Sequence, residues 1–200
     1  MGKDLYSPIV ISGPSGAGKS VLINYIEQKN SLFLEASGCT TRQKRENETG
    51  RMYFLSKEEF EILIEHDQLI EYCIYNGNYY GCPKSGLEKL NEKYMIFNVG
   101  YSSAKVIKEM NSDAYMIYLM PPHKEELIWR IGDRGSERYR LGIEETMKHA
   151  LYYEYLLISQ TDNLEATYHD FLDIVNQKDK AKSKRLILAK NRDFIRNYYK

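Results

Sequence analysis

The residues Gly13 to Ser20, "GPSGAGKS", fit the pattern G-x-x-x-x-G-K-[ST]. The chemistry open to such a run is anion capture. Gly13, Gly16 and Gly18 let backbone N–H groups turn inward onto phosphate oxygens with no Cβ in the way. Pro14, Ser15 and Ala17 complete the loop. Lys19 can reach the outer phosphates of a nucleotide, and Ser20 offers a hydroxyl to Mg²⁺. The context is the one the pattern requires. "PIVIS" before it reads as a buried strand, and "KSVLINYIEQ" after it reads as a helix whose positive end points at the same anion. With strand and helix both in place, an ordinary glycine turn is the weaker reading. Residues 13–20 are expected to bind a nucleoside triphosphate.

A second constellation suits a second phosphate. "TTRQKRENETG" places Arg42 and Arg45 three residues apart. Two guanidinium forks fit a dianionic monophosphate, because each can form paired charge-assisted bonds. "GNYYG" adds Tyr79 and Tyr80, and a phenol can donate to a phosphate oxygen. Glu71, in "LIEY", can accept two N–H donors from one edge of a heterocycle, and guanine offers such a pair at N1 and N2. Taken singly, each feature has a plainer reading: the arginines as a solvated loop, the tyrosines as hairpin packing. Downstream of a phosphate-binding loop they point together to an acceptor site.

These residues need a scaffold. Short apolar runs, "PIVIS", "LFLEA", "YMIFNV", "AYMIYLM" and "YLLIS", alternate with helical patterns such as "SSAKVIKEM", "KEELIWRI" and "NLEATYHDFLDIV". Continuous apolar strands separated by helices argue for a parallel sheet covered on both faces. Residues 37–90 break that rhythm. "SKEEFEILIEHDQL" opens with a capping box, Ser56 and Glu59, and sets Phe60, Leu63 and Ile64 on one face. "IEYCIYNGNYYG" carries Asn76-Gly77 between strand-like arms, a strong hairpin signal. An insert with its own small sheet and helix is expected there. A polar, arginine-rich piece, "GDRGSERYRLG", interrupts the helices at 132–142. Residues 176–200 carry nine Lys or Arg against two Asp, and read as a solvated helix packed through Leu186, Ile187, Leu188, Phe194 and Ile195.

The bulk numbers exclude several classes. Two hundred residues suffice for one domain with a sizeable core. Lys plus Arg equals Asp plus Glu at 28 each, so no global charge argues for nucleic acid or a membrane surface. No apolar run approaches a membrane span. "MGKDLYSPIV" lacks the apolar core of a signal peptide, and Tyr6 stands where a myristoylation site needs Ser or Thr. Cys39, Cys73 and Cys82 form no C-x-x-C pair, which fits a reducing cytoplasm. The 18 tyrosines fit either a hydrogen-bonding interior or AT-rich codon usage. A monomer or homodimer is expected.

From about Ile9 to about Val175 the chain resembles the guanylate kinases, through "SGPSGAGKS", "TTRxxR", "SxEEFE", "GNYYG", "MPPHKEEL" and "RGS". The resemblance implies an α/β fold of P-loop NTPase type: a parallel sheet flanked by helices, a GMP-binding insert with a small mixed sheet and a helix, and a short lid. It implies a core of 1–36 and 91–175, an insert at 37–90, a lid at 132–145 and a basic tail at 176–200. It also implies ATP and Mg²⁺, with GMP or dGMP as acceptor. On this likeness Arg42, Arg45 and Tyr80 hold the acceptor phosphate, Glu71 reads guanine, and Lys19 serves the donor. Arg130 and Arg134 draw the phosphates together from the lid side. Two alternatives stand beside it: a paralogue acting on a different nucleotide or phosphorylated acceptor, or a non-catalytic guanylate-kinase-like binding domain.

The departures from the family pattern gather at the base pocket. Gly38 stands where the family has Ser, and Cys82 where it has Ser or Thr. "NVGYSS" puts Asn98 and Gly100 where the family's strand carries carboxylates. The loop after Arg45 is about two residues shorter, leaving Tyr53, or nothing, as the third phosphate-binding tyrosine. The arginine expected about 11 residues after the lid's Arg-Gly pair is missing, with Arg138 or Arg140 as substitutes. Losing a hydrogen bond to a buried partner costs about 1–3 kcal/mol, and a thiol is a weak donor. The expected result is a retained phosphate grip with an altered base reader.

Overall fold

A computed structural model describes residues 6–44, 46, 51–75, 77–131, 148–160 and 162–176. In chain order the elements are β1 (Ile9–Ser12), α1 (Lys19–Lys29), β2 (Phe33–Glu35), β3 (Gly38–Thr40), β4 (Met52–Phe54), α2 (Lys57–Glu65), β5 (Leu69–Tyr75), β6 (Asn78–Pro83), α3 (Ser85–Glu88), β7 (Tyr94–Asn98), α4 (Tyr101–Met110), β8 (Tyr115–Met120), α5 (Lys124–Ile131), β9 (Tyr155–Ile158) and α6 (Leu164–Asn176).

Five strands form one sheet in the order β2-β7-β1-β8-β9, with β2 parallel to β7 and β8 parallel to β9. Helices follow β1, β7 and β8, as parallel pairing requires. Every residue of β1 and β8 is buried, which is why both read as unbroken apolar runs. The α/β reading with a parallel sheet and flanking helices holds.

The second sheet has four strands in the order β4-β3-β6-β5. β5 and β6 form the expected antiparallel hairpin, closing at Tyr75 opposite Asn78 around Gly77 at φ +74°. β3 pairs antiparallel with β6 but parallel with β4. A parallel pair needs a connection that carries the chain back to the same end. Residues 41–51, the arginine segment, are that connection. This pairing has no local signal in the sequence. Helix α2 begins at the predicted capping box: Ser56 Oγ accepts from the Glu59 N–H, and Glu59 Oε2 accepts from the Ser56 N–H. Its Phe60 packs with Cys39 and Leu69, and Leu55, Leu63, Ile64 and Tyr79 surround them. A Cβ on Gly81 would lie 2.8 Å from the Phe60 ring, so the absent side chain lets helix and strand meet.

The chain divides into two compact units, residues 1–10 with 27–114 and residues 11–26 with 115–200. The first holds the small sheet, β2, β7 and α4; Ala104 and Ile107 of α4 are buried. The second holds the glycine loop, β8, α5, β9 and α6. There Phe171, Ile174 and Val175 of α6 are buried, and Tyr115 Oη donates to Val175 O at 3.0 Å. Among the described residues no helix is long and apolar enough to cross a membrane.

Candidate active site

In the unit containing residues 11–26, the loop between β1 and α1 is built from backbone geometry. Gly13, Gly16 and Gly18 have φ of +151°, +86° and +92°. A Cβ at Gly13 would lie 2.2 Å from Leu119 O, so no side chain fits there. Lys19 Nζ donates to Gly13 O at 2.7 Å and Pro14 O at 2.9 Å, which folds the ammonium back over the loop. Arg130, on α5, braces the same loop. Its Nη1 donates to Ala17 O (3.1 Å) and Ser159 Oγ (3.2 Å), and its Nη2 to Ser159 O (3.3 Å). Glu126, one turn earlier, accepts from Nη2 at 2.7 Å, and both partners are largely buried. The structure thus puts Arg130 on the loop's own carbonyl. Ser20, at the exposed start of α1, follows directly.

In the other unit, pleating sorts the small sheet into two faces. Cys39, Tyr79 and Gly81 turn toward Phe60 of α2. The register puts Gly38, Thr40, Met52, Phe54, Glu71, Cys73, Tyr80 and Cys82 on the opposite face, with Glu71 directly across from Cys82. Tyr79 and Tyr80 therefore divide their work. The Tyr79 ring packs 5.2 Å from Phe60, as the plainer hairpin reading had it, and Tyr80 joins the Glu71 face. Tyr53 pairs with Cys39, away from that face, and is 58 % exposed. Met52 takes the neighbouring place: a Cβ on Gly38 would lie 3.0 Å from its Sδ and Cε. Of the two options for a third phosphate-binding tyrosine, the register favours none.

Two threonines fix the arginine segment to the hairpin. Thr40 Oγ1 donates to Tyr79 O (2.7 Å) and accepts from the Arg42 N–H (3.3 Å). Thr41 Oγ1 accepts from the Tyr79 N–H at 2.9 Å. The Arg42 guanidinium then stacks over Phe54 at 5.2 Å from the ring centre. At the far end of this face, Ser103 Oγ of α4 donates to Glu71 Oε1. Burial pushes the Cys82 thiol up to about 12, with Cys39 and Glu71 adding to the shift, and pushes Cys39 up to about 11. Both are neutral thiols at ordinary pH.

Asn98, at the end of β7, bonds to a carboxylate that sequence reasoning passed over. Its Nδ2 donates to Glu35 Oε1 at 3.4 Å, and the Arg51 N–H donates to Glu35 Oε2 at 3.3 Å. Burial raises the Glu35 pKa, and those two bonds partly offset it. The strand end that lacks carboxylates at 98 and 100 therefore has one beside it, on β2. Gly100 caps α4 with open space where its side chain would be.

Of the residues singled out in the sequence, Gly13, Pro14, Ala17, Gly18, Lys19 and Arg130 meet in one cluster, while Gly38, Glu71, Tyr80 and Cys82 share one sheet face. Arg45, Arg134 and the segment 132–145 lie outside the described residues, as does the tail beyond Asn176. Sequence reasoning missed Thr40, Thr41, Phe54, Ser103, Glu126 and Ser159. Only the Thr-Thr pair, a familiar side-chain-to-backbone bonding type, offered a local signal.

The guanylate kinase family model matches residues 6–178. A guanylate kinase of Clostridium perfringens is 37 % identical over 169 residues, covering 78 % of this chain and 76 % of the relative. One of Mycoplasmoides gallisepticum is 34 % identical over 180 residues, covering 84 % and 90 %. The crystal structure of guanylate kinase from Anaplasma phagocytophilum superposes with a TM-score of 0.67 at 25 % identity, covering 88 % of this chain and 89 % of that one. A family model that matches residues 6–178 and relatives at 34–37 % identity, matched over most of their length, place this chain in the guanylate kinase family.

Proposed function

We propose that the protein transfers the γ-phosphoryl group of ATP to GMP or dGMP, giving ADP and GDP or dGDP. One observation carries the acceptor half of this reading: the face that holds Glu71 also holds Phe54, over which Arg42 stacks. From β4 to β5 is three strand spacings, about 14 Å, on the scale of a nucleoside monophosphate laid from phosphate to base edge. Arg42, with Arg45 and Tyr80, grips the acceptor phosphate. Glu71 accepts from guanine N1 and N2, with Gly38 and Cys82 on the same face, while Asn98 bonds to Glu35 and acts at a remove.

The donor half rests on the glycine loop. Its fit to a triphosphate is supported by three glycines at positive φ and by an ammonium already held over the loop. Lys19 exchanges its bonds to Gly13 O and Pro14 O for phosphate oxygens as ATP enters. The Ser20 hydroxyl is the group on this loop suited to Mg²⁺, which would neutralise charge on the phosphates. Arg130 keeps the loop in shape through Ala17. No covalent intermediate is needed, because positioning and charge neutralisation suffice for phosphoryl transfer.

A second reading, transfer to another monophosphate, draws on Met52 beside Gly38 and on a Cys82 that is a neutral, weak donor. ADP release measured with GMP, dGMP, AMP, CMP, UMP and IMP separates the two. GMP and dGMP should give the highest kcat/KM, and Lys19→Ala should lower it by roughly a hundred- to a thousand-fold with the fold intact. A Lys19→Ala rate within a few-fold of native would sink the role of the loop. Binding without any turnover would favour a non-catalytic domain.

A further inference from the structure

The carboxylate proposed to read the base is not alone on its strand. Helix α4 packs on β5, and Ser103 Oγ, from the buried side of that helix, donates to Glu71 Oε1. Ser103 is 9 % exposed, so its hydroxyl has little water to turn to. Glu71 lies on a bulge, where the ladder between β5 and β6 shifts register between Leu69 and Glu71. Bulges re-aim side chains, and a re-aimed carboxylate needs something to set its direction. The residue directly opposite, Cys82, cannot do so well, because a neutral thiol is a weak donor.

We infer that Ser103 is a positioning residue for acceptor recognition: its hydroxyl fixes the Glu71 carboxylate so that both oxygens can address a purine edge carrying two adjacent N–H donors. The inference rests on the reading of Glu71 given above. A hydroxyl-to-carboxylate bond is charge-assisted, and such bonds also restrict the rotamer of the long acid. With Ser103 in place the pocket recovers from α4 a hydroxyl that Gly38 and Cys82 no longer supply from the sheet. Recognition then favours guanine over hypoxanthine, which keeps N1–H and lacks the exocyclic amine.

The test compares Ser103→Ala, Ser103→Thr, Glu71→Gln and the double variant Ser103→Ala/Glu71→Gln, with GMP and IMP as acceptors and thermal melts as a check on folding. Alanine is the better helix former, so the first variant should fold. Ser103→Ala should raise KM for GMP by roughly tenfold, the scale of one charge-assisted bond. It should leave kcat and KM for ATP near native, and should lower the GMP-to-IMP ratio of kcat/KM. Ser103→Thr should recover most of the loss, and Ser103→Ala should do nothing further once Glu71 is Gln. If Glu71→Gln collapses the ratio while Ser103→Ala, or a folded Ser103→Thr, behaves contrary to this, the role of Ser103 falls and that of Glu71 stands. If Glu71→Gln leaves the ratio unchanged, the reading of Glu71 falls first. Equal losses for ATP and GMP, or additive losses in the double variant, would mark Ser103 as merely structural and overturn the inference.

Discussion

The glycine loop and the small sheet both suit phosphate chemistry, but they are made of different materials. The loop is backbone: three glycines with positive φ and a lysine bonded to two of the loop's own carbonyls. The sheet site is side chains set by register: Arg42 over Phe54, Glu71 across from Cys82, Ser103 reaching in from α4. A backbone site tolerates little substitution, because its shape depends on residues with no side chain at all. A side-chain site can change one group at a time while neighbours take over. The small sheet carries two of the departures, Gly38 and Cys82, with Met52 beside the first and Ser103 of α4 bonded to Glu71 across from the second; the third, Asn98, lies on β7 and has Glu35 of β2 beside it.

The largest effect should follow a change to the loop. Gly13→Ala would drive a Cβ into Leu119 O, 2.2 Å away, and should cost more than about 4 kcal/mol in a denaturant melt. Gly77, at φ +74° with nothing within 4 Å, is the control from the sheet. Gly77→Ala should cost only about 1–2 kcal/mol, the penalty of the left-handed conformation itself. Equal costs would remove the contrast between the two regions.

Next in size, Arg42→Ala should weaken GMP binding by about 2–5 kcal/mol in calorimetry and leave binding of a non-hydrolysable ATP analogue unchanged. Parallel losses for both ligands would mean that the sheet does not serve a phosphate of its own.

A smaller effect tests the replacement at the end of β7. Asn98→Asp would set a second carboxylate against Glu35 and should destabilise the fold by about 1–3 kcal/mol. In a Glu35→Gln background the same change should be tolerated, a coupling on the order of 1 kcal/mol or more. The pH dependence has a defined sign. Burial holds the Glu35 pKa above its ordinary value, so the folded state keeps this proton longer than the unfolded chain does. Stability should fall as pH rises through the ordinary carboxylate range toward the raised value, and Glu35→Gln should flatten that fall. Additive melts with no pH signature would show that the two residues act separately.

The smallest effect near neutral pH concerns the thiols. Cys39 and Cys82, held up at about 11 and about 12, should stay unlabelled by a thiol reagent at pH 8 until denaturant is added. Their protons leave the unfolded chain first, so stability should decline as pH climbs past about 9. Rapid labelling of either thiol in the native protein would contradict its burial.

The same contrast explains what could be read from the sequence. Gly13 to Ser20 was readable because a backbone site leaves its signature in consecutive residues. The capping box at Ser56, the Asn76-Gly77 hairpin and the alternation of strand and helix were readable for the same reason, since each is local. The parallel pairing of β3 with β4 was not, because it depends on where residues 41–51 return the chain. Ser103, Glu35 and Ser159 were equally silent. Each acquires meaning from a partner 32, 63 or 29 positions away, and no spacing rule spans those distances. Tyr53 illustrates the cost of judging by residue type: a one-residue difference in register puts Met52, not Tyr53, on the Glu71 face.

Strand β5 ends the order of the small sheet, and its sequence, "LIEYCIY", has no proline and a single charge. Such a segment at a sheet edge is a template for strand addition by other molecules, and natural edges carry charges that discourage it. Glu71 is that charge. The carboxylate proposed to read a nucleobase is therefore also the single charge on an edge strand, and a Glu71 variant that precipitates on expression can do so by edge-to-edge assembly with its fold intact.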